Sequence, residues 1–182
     1  LASASADGTA RIWNSSTGRL LTGPLRHKAL VRHAGFSRDG RWILTASDDG
    51  TAQVWDAATG QRAGEPMRHR DRVNDATFST DGTLVATASL DNTARVWDAR
   101  TGRPLTEPFL HEGGVDSVRF SPDGRQLLTA CRSGKAHLWD VPPRAVVHES
   151  VAMSPGLGVR QSSGTLAGRK NQKRQRTAEL QD

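Results

Sequence analysis

The chain is predicted to be all-β, an array of four-stranded antiparallel meanders. Three observations predict this. Trp13, Trp55, Trp97 and Trp139 stand 42 residues apart, a fixed period that marks a repeat array. Short apolar runs of strand length alternate with turn dipeptides in each period. No apolar pattern of helical period competes over residues 1–140.

The strand ending at Phe36, Phe78 or Phe120 is closed by Asp39-Gly40, Asp81-Gly82 or Asp123-Gly124. The runs ILTAS (43–47), VATAS (85–89) and LLTAC (127–131) follow, small and apolar. Within four residues come TAQVW, TARVW and KAHLW. The links contain Asp-Gly or Asp-Asn, residues that tolerate the positive φ of tight hairpins. Thr17-Gly18, Thr59-Gly60 and Thr101-Gly102 mark a further turn, so each period holds four strands. The copies align without gaps, from SADGTARIWN and SDDGTAQVWD to SLDNTARVWD and CRSGKAHLWD, preceded by HKALVRHAGFSRDG, HRDRVNDATFSTDG and HEGGVDSVRFSPDG.

These units resemble WD40 repeats, the blades of a β-propeller. The resemblance covers residues 1–140 and rests on the Trp-Asp dipeptide, the S-x-D-x-T turn, the upstream His and the F-S-x-D-G turn, all in register. The family's Gly-His pair departs here, reading Arg26-His27, Arg68-His69 and Leu110-His111. The resemblance implies an open arc of about three to four blades: a partial blade over 1–26, blades over 27–68 and 69–110, an atypical last blade over 111–149, and a basic tail over 150–182 expected to be disordered. Leu1 is not an initiator Met and falls within a second strand, so a fragment of a longer protein is expected.

Each full copy contains a Ser, a His and an Asp beside its Trp. They are His27, Ser47 and Asp49 beside Trp55, and His69, Ser89 and Asp91 beside Trp97. Asp orienting His and His activating Ser is the logic of acyl transfer. Recurrence at period 42 favours architecture. The resemblance implies a buried network in which indole, hydroxyl, imidazole and carboxylate satisfy one another. Copy four keeps His111 and Trp139 but has Cys131 and Ser133 in place of Ser and Asp, so a less rigid blade is expected. Cys131 reads as an inert buried residue.

Positions that differ between copies are where binding is expected. By the resemblance, the top face presents Leu30, Arg32 and Asp48, then Arg72, Asn74 and Leu90, then Gly114, Asp116 and Arg132. Arg and Leu of mixed surroundings suit a protein interface. His33 and His137 read as polar surface positions. No catalytic, metal or cofactor constellation stands outside the repeat; His111-Glu112 lacks the second His of a zinc helix.

Composition bounds the rest. The 182 residues contain one Cys, which excludes an internal disulfide framework and suits a reducing compartment. No apolar stretch approaches a membrane span and no secretory signal opens the chain. A cytoplasmic protein is expected. The net charge is +6, and residues 141–182 carry 7 Lys and Arg against 3 Asp and Glu. Val141-Pro142-Pro143 ends the pattern, AVVHESV (145–151) offers a fourth strand, and RKNQKRQR (169–176) offers five cations to nucleic acid. With no aromatic side chain from Ala145 onward to stack bases, nucleic-acid contact is not expected. The function implied is a protein–protein scaffold without chemistry of its own. The alternative is a C-terminal regulatory array of a multidomain bacterial enzyme such as a Ser/Thr kinase. Expected partners are other proteins, missing blades in cis, or further copies associating through open edges.

Overall fold

A computed structural model describes residues 1–142 and 176–178. They form four antiparallel sheets. The first has three strands, β1 (Ala2–Ala4), β2 (Thr9–Ile12) and β3 (Leu25–Arg26). The second holds β4 (Val31–Phe36), β5 (Trp42–Ser47), β6 (Thr51–Asp56) and β7 (Arg62–Arg68). The third holds β8 (Val73–Phe78), β9 (Leu84–Ser89), β10 (Thr93–Asp98) and β11 (Phe109–Leu110). The fourth holds β12 (Val115–Phe120), β13 (Gln126–Cys131), β14 (Ala136–Asp140) and β15 (Arg176–Ala178). Each sheet is a meander in sequence order, so each is one blade.

The strand paired with β14 is thus Arg176–Ala178, beyond the tail boundary expected at residue 150. The stretch 145–151, expected to supply that strand, lies outside the described residues. So does the basic run 169–176, apart from the backbone of Arg176.

Local chemistry sets the turns. Gly50 takes φ 81° between β5 and β6, and Asn92 takes φ 66° at the same place between β9 and β10. Asn is the residue after Gly that best tolerates this region, so the hairpin survives the exchange. A tighter constraint holds the second blade to the third. A Cβ on Gly102 would run into the Glu65 carbonyl, and Glu65 N–H donates to Thr101 O at 3.0 Å across the junction.

The core is a series of layers between neighbouring sheets. Leu44, Ala46, Ala52, Val54 and Met67 of the second blade pack on Val73, Ala76, Val85 and Trp97 of the third. Ala86, Ala88, Ala94, Val96 and Phe109 of the third pack on Val115, Val118, Leu127 and Trp139 of the fourth. Ala10, Ile12 and Leu25 meet Val31, Ile43 and Trp55 in the same way. Each blade therefore buries one apolar face on the next, the nearest-neighbour stacking that stabilises repeat arrays. Among the described residues, no blade covers the outer face of the fourth. Leu128 and Leu138 are 49% and 36% exposed, whereas Leu44 and Val54, two repeats earlier in the same slots, are each 1% exposed.

Strands β4, β8 and β12 pack on one another along the inside of the arc. Each carries a bulge at its start. Val31 pairs with Ser47 and His33 with Ala46, so Arg32 is the extra residue. Asn74 and Asp116 are the extra residues of β8 and β12. A bulge re-aims the side chain it contains. All three bulge residues belong to the face singled out from the sequence.

Candidate functional site

The recurring network is built across each blade's hairpin. Thr45 and Trp55 lie on β5 and β6, and the indole Nε1–H donates to Thr45 Oγ1 at 2.8 Å. His27, in the loop before β4, sets Nε2 at 2.7 Å from the same hydroxyl. Its Nδ1 lies 3.1 Å from Asp49 Oδ2. Asp49 also accepts from Lys28 N–H at 2.9 Å, Thr51 N–H at 3.0 Å and Thr51 Oγ1 at 2.6 Å. The third blade repeats this with Trp97 to Thr87 at 2.8 Å, His69 to Thr87 at 2.7 Å and His69 to Asp91 at 3.0 Å. The arrangement suits the tautomer with Nδ1–H directed at the carboxylate, leaving Nε2 to accept from the threonine hydroxyl.

The hydroxyl joining indole to imidazole is therefore Thr45 or Thr87, not Ser47 or Ser89 as the sequence suggested. The serines sit at the strand ends. Ser47 Oγ donates to Ala29 O at 3.1 Å and accepts from Asp49 N–H at 3.1 Å; Ser89 does the same with Asp71 O and Asp91 N–H. They brace the turn that presents the carboxylate. In these two blades no serine meets the imidazole, so the Ser-His-Asp text does not assemble the nucleophile–base pair of an acyl-transfer site. The usable signal was the threonine ten residues before Trp55, Trp97 and Trp139, which recurs with the same period; before Trp13 the slot holds Ser3, which accepts that indole N–H at 2.8 Å.

Electrostatics follow the same geometry. Burial pushes Asp49 upward, but donors from Thr51, Lys28 and His27 outweigh it, and its carboxyl is held below the usual range. In Asp91, burial is likewise outweighed by His69, Thr93 and the Arg70 N–H, and the carboxyl lies far below the usual range. His27 is pulled down by burial, against the upward pull of Asp49. Ionised carboxylate and neutral imidazole are the favoured forms of the second blade.

The fourth blade keeps half of this. Trp139 Nε1–H donates to Thr129 Oγ1 at 2.9 Å, and His111 Nε2 lies 2.7 Å from it. With Ser133 in the carboxylate position, His111 Nδ1 turns to the Phe109 carbonyl at 3.0 Å. Cys131 Sγ and Ser133 Oγ lie 3.0 Å apart and face each other. His137, read from the sequence as an exposed polar position, is half-buried. It stacks on Trp139 at 5.6 Å and meets His111 edge-on at 5.1 Å. His111 is pulled down by burial and then by His137.

The top-face residues come together across blades. Arg32 pairs with Asp48, Nη2 to Oδ2 at 3.0 Å, and Arg72 of the next blade approaches Asp48 at 3.9 Å. Asn74 Nδ2 donates to Val115 O at 3.0 Å and to Asp116 Oδ1 at 3.2 Å, and Arg132 Nε donates to that carboxylate at 3.0 Å. Leu90 lies against the backbone of Gly114. Leu30 is half-buried and accepts the Asp48 N–H at 2.9 Å through its carbonyl. One surface with cations and apolar side chains thus spans three blades.

Sequence reading missed one group. His33, expected at the surface, folds over Gly35, where a side chain would collide with its ring. Its Nδ1 lies 3.6 Å from Asp75 of the next blade, and Asp75 accepts from Arg119 and from Val118 N–H of the blade after. These residues form a polar line along β4, β8 and β12. Nothing in a single period announces it, because the three residues differ and occupy different copies. Among the described residues, no cluster of His, Cys, Asp or Glu could hold a metal ion, and no helix could cross a membrane.

The model of the WD domain, G-beta repeat family (WD40) matches residues 1–14, 18–56, 64–98 and 102–140. No match is found among curated proteins. Among solved structures, the computationally designed Ika4 protein is similar at 27% identity with a TM-score of 0.70, over 78% of this chain and 84% of that one. The computationally designed Ika8 protein is similar at 26% identity with a TM-score of 0.69, over 76% of this chain and 42% of that one.

Proposed function

From a chain that belongs to the WD40 repeat family, we propose a cytoplasmic protein-interaction scaffold that binds its partner through the top face and performs no chemistry of its own. The observation that carries this reading is a division of labour between two sets of residues. Those shared by the second and third copies are spent on one another inside the blades. Those that differ between copies meet on one surface, linked by Arg32–Asp48–Arg72 and Asn74–Asp116–Arg132. Interface anchors are few, and Arg is prominent among them. Arg72, Leu90 and Arg132 are the anchors of this reading.

A photoreactive amino acid placed in cells at 72, 90 or 132 tests it. We expect all three positions to capture the same protein, and the opposite-end turn positions 38, 80 and 122 to capture none. Equal capture from both ends, or turnover of a substrate by the purified chain, would overturn the reading.

A further inference from the structure

The four copies act as internal controls for one cleft. It lies where the first blade meets the second, encloses about 130 Å³, and is lined by Arg26, Lys28, Arg62, Arg68, Gln53 and the edge of Trp55, among others. Two features open it. Gln53 stands in the slot that holds Arg95 and His137 in the next two blades. Those longer or broader side chains lie on Trp97 and Trp139. The Gln53 amide instead turns its Nε2 to Val54 O at 2.9 Å and Ala63 O at 3.3 Å. Gly64, at φ 72°, allows β7 to bulge outward between Ala63 and Met67.

The chemistry of the cleft is also particular to this junction. Arg26, Lys28, Arg62 and Arg68 are exposed, and among the described residues none of them makes an ion pair. Arg62 lies over Trp55 at 5.2 Å. The carboxylate nearby, Asp49, already accepts four hydrogen bonds. At the next junction the slots of Arg62 and Arg68 hold Pro104 and Leu110, while those of Arg26 and Lys28 hold Arg68 and Arg70; one junction further, the slot of Lys28 holds Glu112. Inside the cleft, Gln53 is 2% exposed and its Oε1 accepts from no donor. A buried acceptor without a donor costs stability, and a ligand bringing an N–H would satisfy it.

We propose that this cleft is a binding site for an acidic peptide segment of a partner protein. An acidic residue supplies both complements, an anionic side chain for the four cations and a backbone N–H for Gln53 Oε1. The charge-assisted bonds from Arg62 and Arg68 hold the anion. A nucleic-acid duplex fits less well. The cations converge on one cleft instead of tracking a backbone, and two repeats on the slots of Arg26 and Lys28 hold Leu110 and Glu112. The cleft shares no residue with the top-face patch, so this proposal goes beyond the scaffold reading and can fail or stand separately.

The test is binding of fluorescein-labelled peptides rich in Glu, or in phosphoserine, to the full chain at about 0.15 M salt, where long-range charge effects are screened. We expect saturable binding of at least one. We expect it to weaken at least tenfold in the Arg62→Gln, Arg68→Gln double variant and to be unchanged in Arg103→Gln. The decisive variant is Gln53→Arg, which copies the filled cleft of the next blade and adds a positive charge. We expect it to weaken binding at least tenfold, with an unaltered melting temperature to show that it folds. Whichever anion binds, carboxylate or phosphate, identifies the peptide's acidic group. Equal or tighter binding by Gln53→Arg would mean diffuse attraction and overturn the proposal. So would the absence of saturable binding, or equal competition by duplex DNA at matched charge. Leu90→Asp with Arg132→Glu, which disrupts the top face, is expected to leave peptide binding unchanged.

Discussion

The third and fourth blades share a fold and differ at one charged link. In the third, His69 is held between Thr87 and Asp91, and Asp91 also fastens the loop through Arg70 N–H and Thr93. In the fourth, His111 keeps Thr129 but finds only a carbonyl of its own strand, and Cys131 and Ser133 satisfy each other. The indole–hydroxyl–imidazole half therefore does not need the carboxylate in order to assemble. What the carboxylate adds is the connection between the loop before the blade and the hairpin turn inside it. The blade lacking that connection also has an uncovered apolar face.

The two blades should differ most in their response to loss of the residue at the carboxylate position. Asp91→Ala strands a buried imidazole N–H and two backbone donors, and should cost about 3 kcal/mol, in the range for breaking a buried pair. Ser133→Ala at the same place in the fourth blade should stay within about 0.5 kcal/mol. Denaturant unfolding of both variants measures the contrast, and equal losses would erase it. The shared half should respond alike in both blades. Thr87→Val and Thr129→Val each remove the hydroxyl that the buried indole and imidazole use, at about 2 kcal/mol. A much smaller loss for Thr129→Val would mean that the fourth blade's network is already loose. Restoring the link should work in the other direction. Cys131→Ser with Ser133→Asp is expected to add about 1 kcal/mol and to slow amide exchange in β12–β14.

The smallest expected effect is with pH. His111 is depressed by burial and by His137, with no carboxylate to oppose them. Its unfolded value is near 6.5. A depressed folded value means that the unfolded chain takes up the proton first. The contribution is therefore complete above about pH 6.5 and is lost as pH falls toward the folded value. Melting at pH 7.5 and pH 5.0 should show a smaller acid shift in His111→Gln than in the parent. An identical shift would place the sensitivity elsewhere. The depressed Asp49 and Asp91 carboxylates contribute above their unfolded value of about 3.9 and lose that contribution only at lower pH, outside this window.

Much of the fold was legible because turn chemistry is local. Gly50 and Asn92 read as hairpin residues before any pairing is known, and they adopt the positive φ that reading requires. The network was legible in outline only. Ser47 looked like the partner of His27 because it adjoins Asp49 in sequence. Yet Ser47 is the last residue of β5, beyond the level of the Trp ring, and it is Thr45, two residues back on the same face and level with Gln53 in the β5–β6 ladder, that meets indole and imidazole. His137 read as exposed because its slot holds Arg and Gln elsewhere, but long polar side chains lie along the Trp ring as readily as they reach solvent. The line from His33 to Asp75 to Arg119 depends on three different copies and on the space above Gly35, which tertiary packing alone reveals.

One detail bears on how the array would respond to tension. Each network histidine touches two blades. The His27 N–H donates to Gly8 O of the first blade while its ring binds within the second, and His69 and His111 repeat this with Gly50 O and Asn92 O. A pull along the chain therefore loads a rivet at every junction, and the rivets are unequal. Those at His27 and His69 are backed by an ionised carboxylate; that at His111 is not. Stretched from its ends, the array should give way one blade at a time from its carboxyl side, with the lowest rupture force first.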